Sequence, residues 1–117
     1  MSFLTPGKKN LITDVKGLYI GNSENELINT GSTILTCEDR FVASYKVLGG
    51  APGTRETDLL EPDKLVEKID ALVLSGGSAF GLEAASETVN LLRRDNKGYS
   101  VSNTKVPIVP SLSLIHI

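Results

Sequence analysis

The spacing of apolar and polar residues predicts strands in the first half of the chain. Residues 17–21 form a short apolar run bracketed by glycines, which is typical of a strand. Residues 32–37 and 41–47 are two further β-prone runs, and alternate residues of the second run, from Phe41 to Val47, share one face. Three charged residues at 38–40 separate these runs, so the pattern predicts a hairpin that turns there.

The second half of the chain predicts a strand followed directly by a helix. Residues 70–74 form an apolar run of strand length and end in a glycine-rich turn at 75–78. Beyond this turn, Leu82, Ala85, Val89 and Leu92 recur with the spacing of one helix face. Two arginines at 93 and 94 and a glycine at 98 mark the end of the helix.

Three further segments carry weaker patterns. Pro62 suits the first turn of a short helix over residues 62–69, in which Leu65 and Ile69 would stack one turn apart. Residues 106–109 predict a strand, and the prolines at 107 and 110 indicate either an edge position or a strained connection. The polar residues 1–10 predict a leader that packs late or not at all.

Composition indicates one folded domain without a nucleic-acid or membrane role. The chain has 117 residues, of which 40% are hydrophobic and 22% charged, which is typical of a single globular unit. The net charge is -2 and no basic cluster exceeds two residues, so nucleic acid is not an expected partner. No apolar run approaches the length of a membrane span and the start lacks a secretory pattern, so we expect a cytoplasmic protein.

Metal and cofactor chemistry has little support in the residue types. Cys37 is the single cysteine and His116 the single histidine, whereas structural metal sites need several thiolates, imidazoles or clustered carboxylates. We therefore predict no metal site and no cofactor, and we interpret Cys37 as a small apolar residue on a strand.

The glycine-rich turn is the first candidate for chemistry. Gly76, Gly77 and Ser78 lie between a strand end and a helix start, where backbone N–H groups can face an anion or a developing oxyanion. The turn lacks the lysine of a phosphate-binding loop, and Gly81 comes one position late for a nucleophile elbow. Two interpretations stay open: tight strand-to-helix packing, or a role of the turn in binding an anion or an oxyanion.

A second glycine-rich loop is the other candidate. Gly49 and Gly50 begin a loop that ends at Thr54 and Arg55, and loops of this composition often approach another group closely. Arg55 is followed by two nearby carboxylates. It therefore suits either a salt-bridged clamp that holds the loop or a site for a substrate carboxylate.

Several motifs, taken in order, resemble the D-aminopeptidase (DmpA) and β-aminopeptidase family. They occupy residues 10–15, 17–21, 30–33, 49–57, 71–82 and 106–110, and thus nearly all of residues 10–110. The resemblance implies the amino-terminal part of a four-layer α/β sandwich of the DmpA and ornithine-acetyltransferase type, usually oligomeric when complete. It also implies a hydrolase that cuts its own backbone to expose a Ser or Thr nucleophile, which attacks an amide or ester.

The resemblance places that nucleophile beyond this chain. We therefore predict no catalytic residue within it, and expect residues 1–111 to be a partial domain whose partners are the remainder of its own chain (the β-subunit) and a peptide or peptide-like amide. A sheet without its later strands would leave an apolar face uncovered. The isolated chain would then be inactive and prone to aggregate.

The last six residues, 112–117, suggest a different origin. They match an in-frame translation of a transposase end used in sequencing-library preparation, and we predict that they are a non-native tail, which would remove His116 from the natural protein. Two alternatives to the hydrolase remain open: an ornithine-acetyltransferase-like acyltransferase, and a small non-enzymatic module that binds an anion at the glycine turn.

Overall fold

A computed structural model describes residues 4–115 as a mixed sheet with one helix of about three turns. The strands are β1 (Leu18–Asn25), β2 (Thr30–Phe41), β3 (Thr54–Arg55), β4 (Ile69–Gly76), β5 (Tyr99–Val101), β6 (Thr104–Val106) and β7 (Ser111–Leu114). The helices are α1 (Ser78–Gly81) and α2 (Glu83–Arg94), and short 3-10 turns occur at Ile12–Asp14 and Asp58–Leu60. The longest helix in this part of the chain, α2, is too short to cross a membrane.

Five strands form one sheet in the order β1-β2-β4-β7-β3. The pairs β1/β2, β2/β4 and β3/β7 are antiparallel, whereas β4 and β7 are parallel. A parallel pair needs a long crossover, and here the crossover contains α1, α2 and the separate β5/β6 hairpin. The chain is thus a mixed α/β domain, as the sequence predicts.

One face of this sheet is covered by α2. Ala71 and Val73 of β4, Ala85 of α2 and Val109 form a core in which each residue has no exposed surface. Around this core pack partly buried apolar side chains of β2 and α2: Ile34, Ala84, Val89 and Leu92. The predicted strand, turn and helix at residues 70–94 are therefore confirmed, since the apolar stripe of the helix lies on the apolar run of the strand.

The opposite face carries apolar side chains that no helix covers. Side chains alternate along a strand, so Leu72 and Leu74 point away from the face that holds Val73. Leu72 pairs with Leu35 of β2, and Leu74 pairs with Leu112 of β7. Leu74 is 47% exposed. We call these leucines, together with Leu114 of β7, the open face.

The predicted hairpin at residues 32–47 is wrong in its turn and in its second strand, because residues 42–48 belong to no strand. β2 continues through residues 38–40, although its pairing with β4 shifts register between Thr36 and Phe41, and its hairpin partner is the preceding strand β1. Arg40 remains within a strand because its Nε lies 3.2 Å from Oδ1 of the buried Asp70, and its guanidinium stacks 5.4 Å from the ring centre of Tyr99. Asp70 and Tyr99 are distant from Arg40 in sequence. The three neighbouring charged residues predicted a turn because a local pattern contains no information about these partners.

The predicted helix at residues 62–69 is also wrong. The segment forms turns and irregular structure, and β4 already begins at Ile69. Leu65 is 85% exposed, so its side chain has no apolar surface on which a helix face could be buried.

The predicted strand at residues 106–109 is shifted along the chain. Val106 ends β6, residues 107–110 are buried and extended, and β7 begins at Ser111. The carbonyl of Ile108 accepts hydrogen bonds from the N–H groups of Asp70 (2.9 Å) and Ala71 (3.4 Å), so this segment follows β4 before the regular pairing starts. Residues 4–10 of the predicted leader are exposed, although Lys9 donates its N–H to Asp14; residues 1–3 lie outside the described range.

Candidate functional site

The glycine-rich turn lies where β4 ends and the helical segment begins. Gly77 has φ 94° and Ser78 has φ 57°, so two successive residues adopt the left-handed region. Gly77 pays little steric cost there, whereas Ser78 is strained. The N–H of Gly81 donates to the carbonyl of Gly77 (3.3 Å), which closes the turn.

Gly81, outside the predicted set of site residues, fixes the shape of this turn. A Cβ atom at position 81 would lie 1.9 Å from the carbonyl oxygen of Gly76 and 2.5 Å from Oγ of Ser113. The hydroxyl of Ser75 donates to the carbonyl of Gly81 (2.8 Å). Position 81 therefore accepts only glycine. The sequence signal for this requirement was the glycine that follows Ser78 one position too late to form a nucleophile elbow.

Of the glycines in the second loop, Gly53 alone comes close to the described sheet. Around Gly49 and Gly50 a Cβ atom would meet no atom of the described chain within 4 Å, so the predicted close approach does not occur at these two residues. It occurs at Gly53, where a Cβ atom would lie 2.9 Å from the carbonyl oxygen of Ser113. The N–H of Ser113 also donates to the carbonyl of Gly53 (2.8 Å).

Ser113 of β7 thus contacts both candidate loops. Gly53 lies on one side of it through a backbone hydrogen bond, and Gly81 lies against its hydroxyl. The structure brings the loop that ends at Thr54 and the turn at Gly76 to Ser78 to the same strand, whereas Gly49 and Gly50 remain exposed and apart from it.

The side chain of Arg55, in β3, forms a hydrogen bond to α2 and not an ion pair with a carboxylate of the described chain. Its Nη1 donates to the hydroxyl of Ser86 (2.6 Å), and within residues 4–115 no carboxylate forms an ion pair with it. The neighbouring Glu56, at φ 57°, turns its carboxylate to the N–H of Val109 (3.3 Å). The expected salt-bridged clamp is therefore replaced by a hydroxyl contact. Thr54 accepts a hydrogen bond from Thr57 within the same loop.

A cavity of about 430 Å³ lies against the open face. Its walls are the loop at 51–54, the sheet residues of β4 and β7, and an extended segment that we call the strap, residues 42–48. The strap is tied at Tyr45, whose hydroxyl donates to Oε1 of Glu61 (2.7 Å). This hydrogen bond, together with the charge of Glu61, raises the pKa of Tyr45 above its ordinary value of 10.0.

Catalytic and metal-binding groups are not assembled in the described part of the chain. The hydroxyl of Ser75 bonds to backbone carbonyls, and that of Ser113 has no hydrogen-bond partner within residues 4–115. In the same range, no three His, Cys, Asp or Glu side chains come together in a metal-binding group. His116 lies outside the described residues. The described residues therefore form a sheet with two loops against it. Among them, no nucleophilic side chain is held next to a base.

Comparison with known proteins decides the family. The model of peptidase family S58 matches residues 10–114. This chain belongs to peptidase family S58. It is 39% identical over 109 residues to uncharacterized aminopeptidases of Mycobacterium tuberculosis and Mycobacterium bovis, and 38% identical to one of Mycobacterium leprae.

The S58 chain matches only part of these relatives. The alignments cover 86% of this chain, but 32% of the M. tuberculosis and M. bovis proteins and 30% of the M. leprae protein. The chain therefore spans about a third of the length of the curated relatives it matches.

Proposed function

We propose that this chain is the amino-terminal part of an aminopeptidase-type hydrolase that cleaves its own backbone. The proposal rests on the family match over residues 10–114. The chain that makes this match spans about a third of the length of its relatives. The nucleophile, a Ser or Thr exposed by self-cleavage, would follow in the remainder of the protein. Its own α-amine would serve as the base that activates it.

In this proposal the chain supplies scaffold and part of the substrate pocket. Gly76, Gly77 and Ser78 form a strained turn at the carboxyl end of β4, a usual location for ligands in α/β sheets. The substrate would be a peptide or peptide-like amide with a free amino end, and no cofactor would take part.

The open face supports the fragment part of the proposal. Leu74 is 47% exposed, and burying apolar surface of this kind stabilises a protein. A second sheet from the remainder of the chain would pack face to face on it. That arrangement corresponds to the inner layers of the four-layer sandwich, and we expect the completed protein to form homo-oligomers in the cytoplasm.

The two alternative functions have less support. Relatives named aminopeptidases favour hydrolysis over acetyl transfer of the ornithine-acetyltransferase kind. A family match along nearly the whole chain likewise favours a peptidase part over a small anion-binding module. The origin of residues 112–117 stays a prediction; residues 112–114 belong to β7 and pair with β4.

The test begins with the gene. The source DNA is resequenced beyond codon 111 without a transposase, and the complete product is expressed and examined by mass spectrometry. We expect two polypeptides, the second beginning with Ser or Thr, and hydrolysis of aminoacyl anilides. The matched control replaces that Ser or Thr with alanine, which should leave one uncut, inactive polypeptide.

Other outcomes would contradict the proposal. A complete product that stays uncut and inactive would exclude a self-processing hydrolase. Transfer of acetyl groups between glutamate and ornithine without amide hydrolysis would select the acyltransferase. A stop codon directly after residue 117 would exclude a larger parent.

A further inference from the structure

The positive charge of Arg55 is unbalanced in this part of the protein. Its guanidinium is partly buried and one nitrogen bonds to the neutral hydroxyl of Ser86. No carboxylate within residues 4–115 forms an ion pair with it, because Glu56 is turned to a backbone N–H. An arginine carries several N–H donors in a planar fork, and none of its other nitrogens is enclosed without a partner. They are therefore not fully enclosed by the described chain.

A buried hydroxyl without a partner lies beside this arginine. Ser111 is directly opposite Arg55 in the β3/β7 pairing, so both side chains lie on the face that α2 covers. Ser111 is 3% exposed and its Oγ has no hydrogen-bond partner in the described chain. Such a buried group costs stability unless a bound group or a partner outside residues 4–115 satisfies it.

We propose that Arg55, Ser86 and Ser111 form a binding site for the free carboxylate of a small peptide substrate. Arginine matches the two oxygens of a carboxylate through parallel N–H donors, and the hydroxyls supply further donors. The site takes one negative charge and discriminates against the uncharged amide. This inference rests on the proposed function, because it names the class of substrate that the hydrolase accepts.

The position of the site fits a short peptide. Ser111 is opposite Val73, three residues before Gly76 on β4, so the site lies about 10 Å along the strand from the glycine turn. Two to three extended residues span about 7 to 10 Å, so a di- or tripeptide has the length to extend from this carboxylate site toward the turn. Ser111 also comes before residue 112, where the predicted non-native tail begins. All three residues of the site therefore lie in the part of the chain that we expect to be natural.

The test compares two substrates on the complete, processed protein. L-alanyl-L-alanine carries the carboxylate and L-alanyl-L-alaninamide lacks it. We expect Arg55→Met to raise KM for the dipeptide about tenfold or more and KM for the amide less than about twofold. Ser111→Ala should raise KM for the dipeptide alone while the melting temperature stays equal or rises. Arg93→Met, at an exposed residue of the last turn of α2, is the matched control.

A second readout does not depend on hydrolysis. Acetate should raise the melting temperature of the natural protein and of Arg93→Met, and should not raise that of Arg55→Met. If neither substrate is hydrolysed but this shift is present, the proposed function fails and the carboxylate site stands. If hydrolysis occurs with equal KM for both substrates, or if Arg55→Met weakens both equally, the carboxylate site is wrong and the hydrolase stands.

Discussion

The two faces of the sheet differ in what covers them. On one face, Val73 is fully buried beneath α2, and Ala71 and Val109 complete a closed core. On the other, Leu74 is 47% exposed although it is the next residue along the same strand. Sequence neighbours of similar character thus have opposite environments. β4 thus has the composition of a strand buried on both sides, whereas residues 4–115 form a closed core on only one of them.

The largest effect is expected where the covered face meets the glycine turn. Gly81→Ala would place a Cβ atom 1.9 Å from the carbonyl oxygen of Gly76, which is backbone and cannot move aside without distorting the turn. We expect a loss of about 3 kcal/mol or more in the free energy of unfolding, measured by denaturant titration. Gly50→Ala, where a Cβ atom meets nothing within 4 Å, should change it by less than about 0.5 kcal/mol. Equal losses would contradict the close approach.

The second prediction concerns the buried charge at the start of β4. Asp70→Asn removes the ion pair with Arg40 and weakens the acceptor of the Ile108 N–H (2.8 Å). We expect a loss of about 2–3 kcal/mol, because breaking a buried pair leaves an uncompensated group. Asp63→Asn, whose partner Lys64 is exposed, should cost less than about 0.5 kcal/mol. If both substitutions cost the same, Asp70 does not anchor the covered core.

The third prediction compares the faces directly. Val73→Ala should cost about 2 kcal/mol in the 117-residue chain, because it opens a cavity in the covered core. Leu74→Ala should cost about 1 kcal/mol or less there. In the complete protein, the cost of Leu74→Ala should rise to about 3 kcal/mol. An unchanged cost for Leu74 would mean that the remainder of the protein does not cover this face.

The smallest effect is expected at the strap over the open face. The hydrogen bond to Glu61 stabilises the protonated phenol of Tyr45, so its pKa lies above 10.0. The contribution is present below pH 10 and is lost as the pH rises through the folded pKa. Glu61→Gln should therefore lower the pKa of Tyr45 in an ultraviolet titration, whereas Glu67→Gln should leave it unchanged. A pKa that is the same in both variants would exclude the Tyr45–Glu61 contact.

How much of this follows from sequence depends on whether the determining contacts are local. The strand, turn and helix of residues 70–94 were predictable because a continuous apolar run and a helical stripe lie side by side in the chain. The path of β2 through Arg40 was not, since its stabilising partner, Asp70, lies 30 residues away. Pro62 and Leu65 satisfy the local rules for a helix, but no apolar surface receives Leu65.

The candidate site divides in the same way. Glycines after a strand predicted the turn at Gly76 to Ser78, but the requirement for Gly81 depends on the positions of Gly76 and Ser113 in the folded protein. The pairing of Arg55 with Ser86 depends likewise on the packing of β3 against α2. Residue types therefore predicted which loops matter, and tertiary contacts determine what each residue does.

The most direct test of the account is the accessibility of the open face in the complete protein. Leu74→Cys and Leu65→Cys, each in a Cys37→Ser background, are labelled with a maleimide in the 117-residue chain and in the complete gene product. The account predicts that both positions react in the 117-residue chain, and that position 74 alone becomes protected in the complete protein. Equal labelling of position 74 in both proteins would contradict the claim that this chain is one part of a larger S58 peptidase built on its open face.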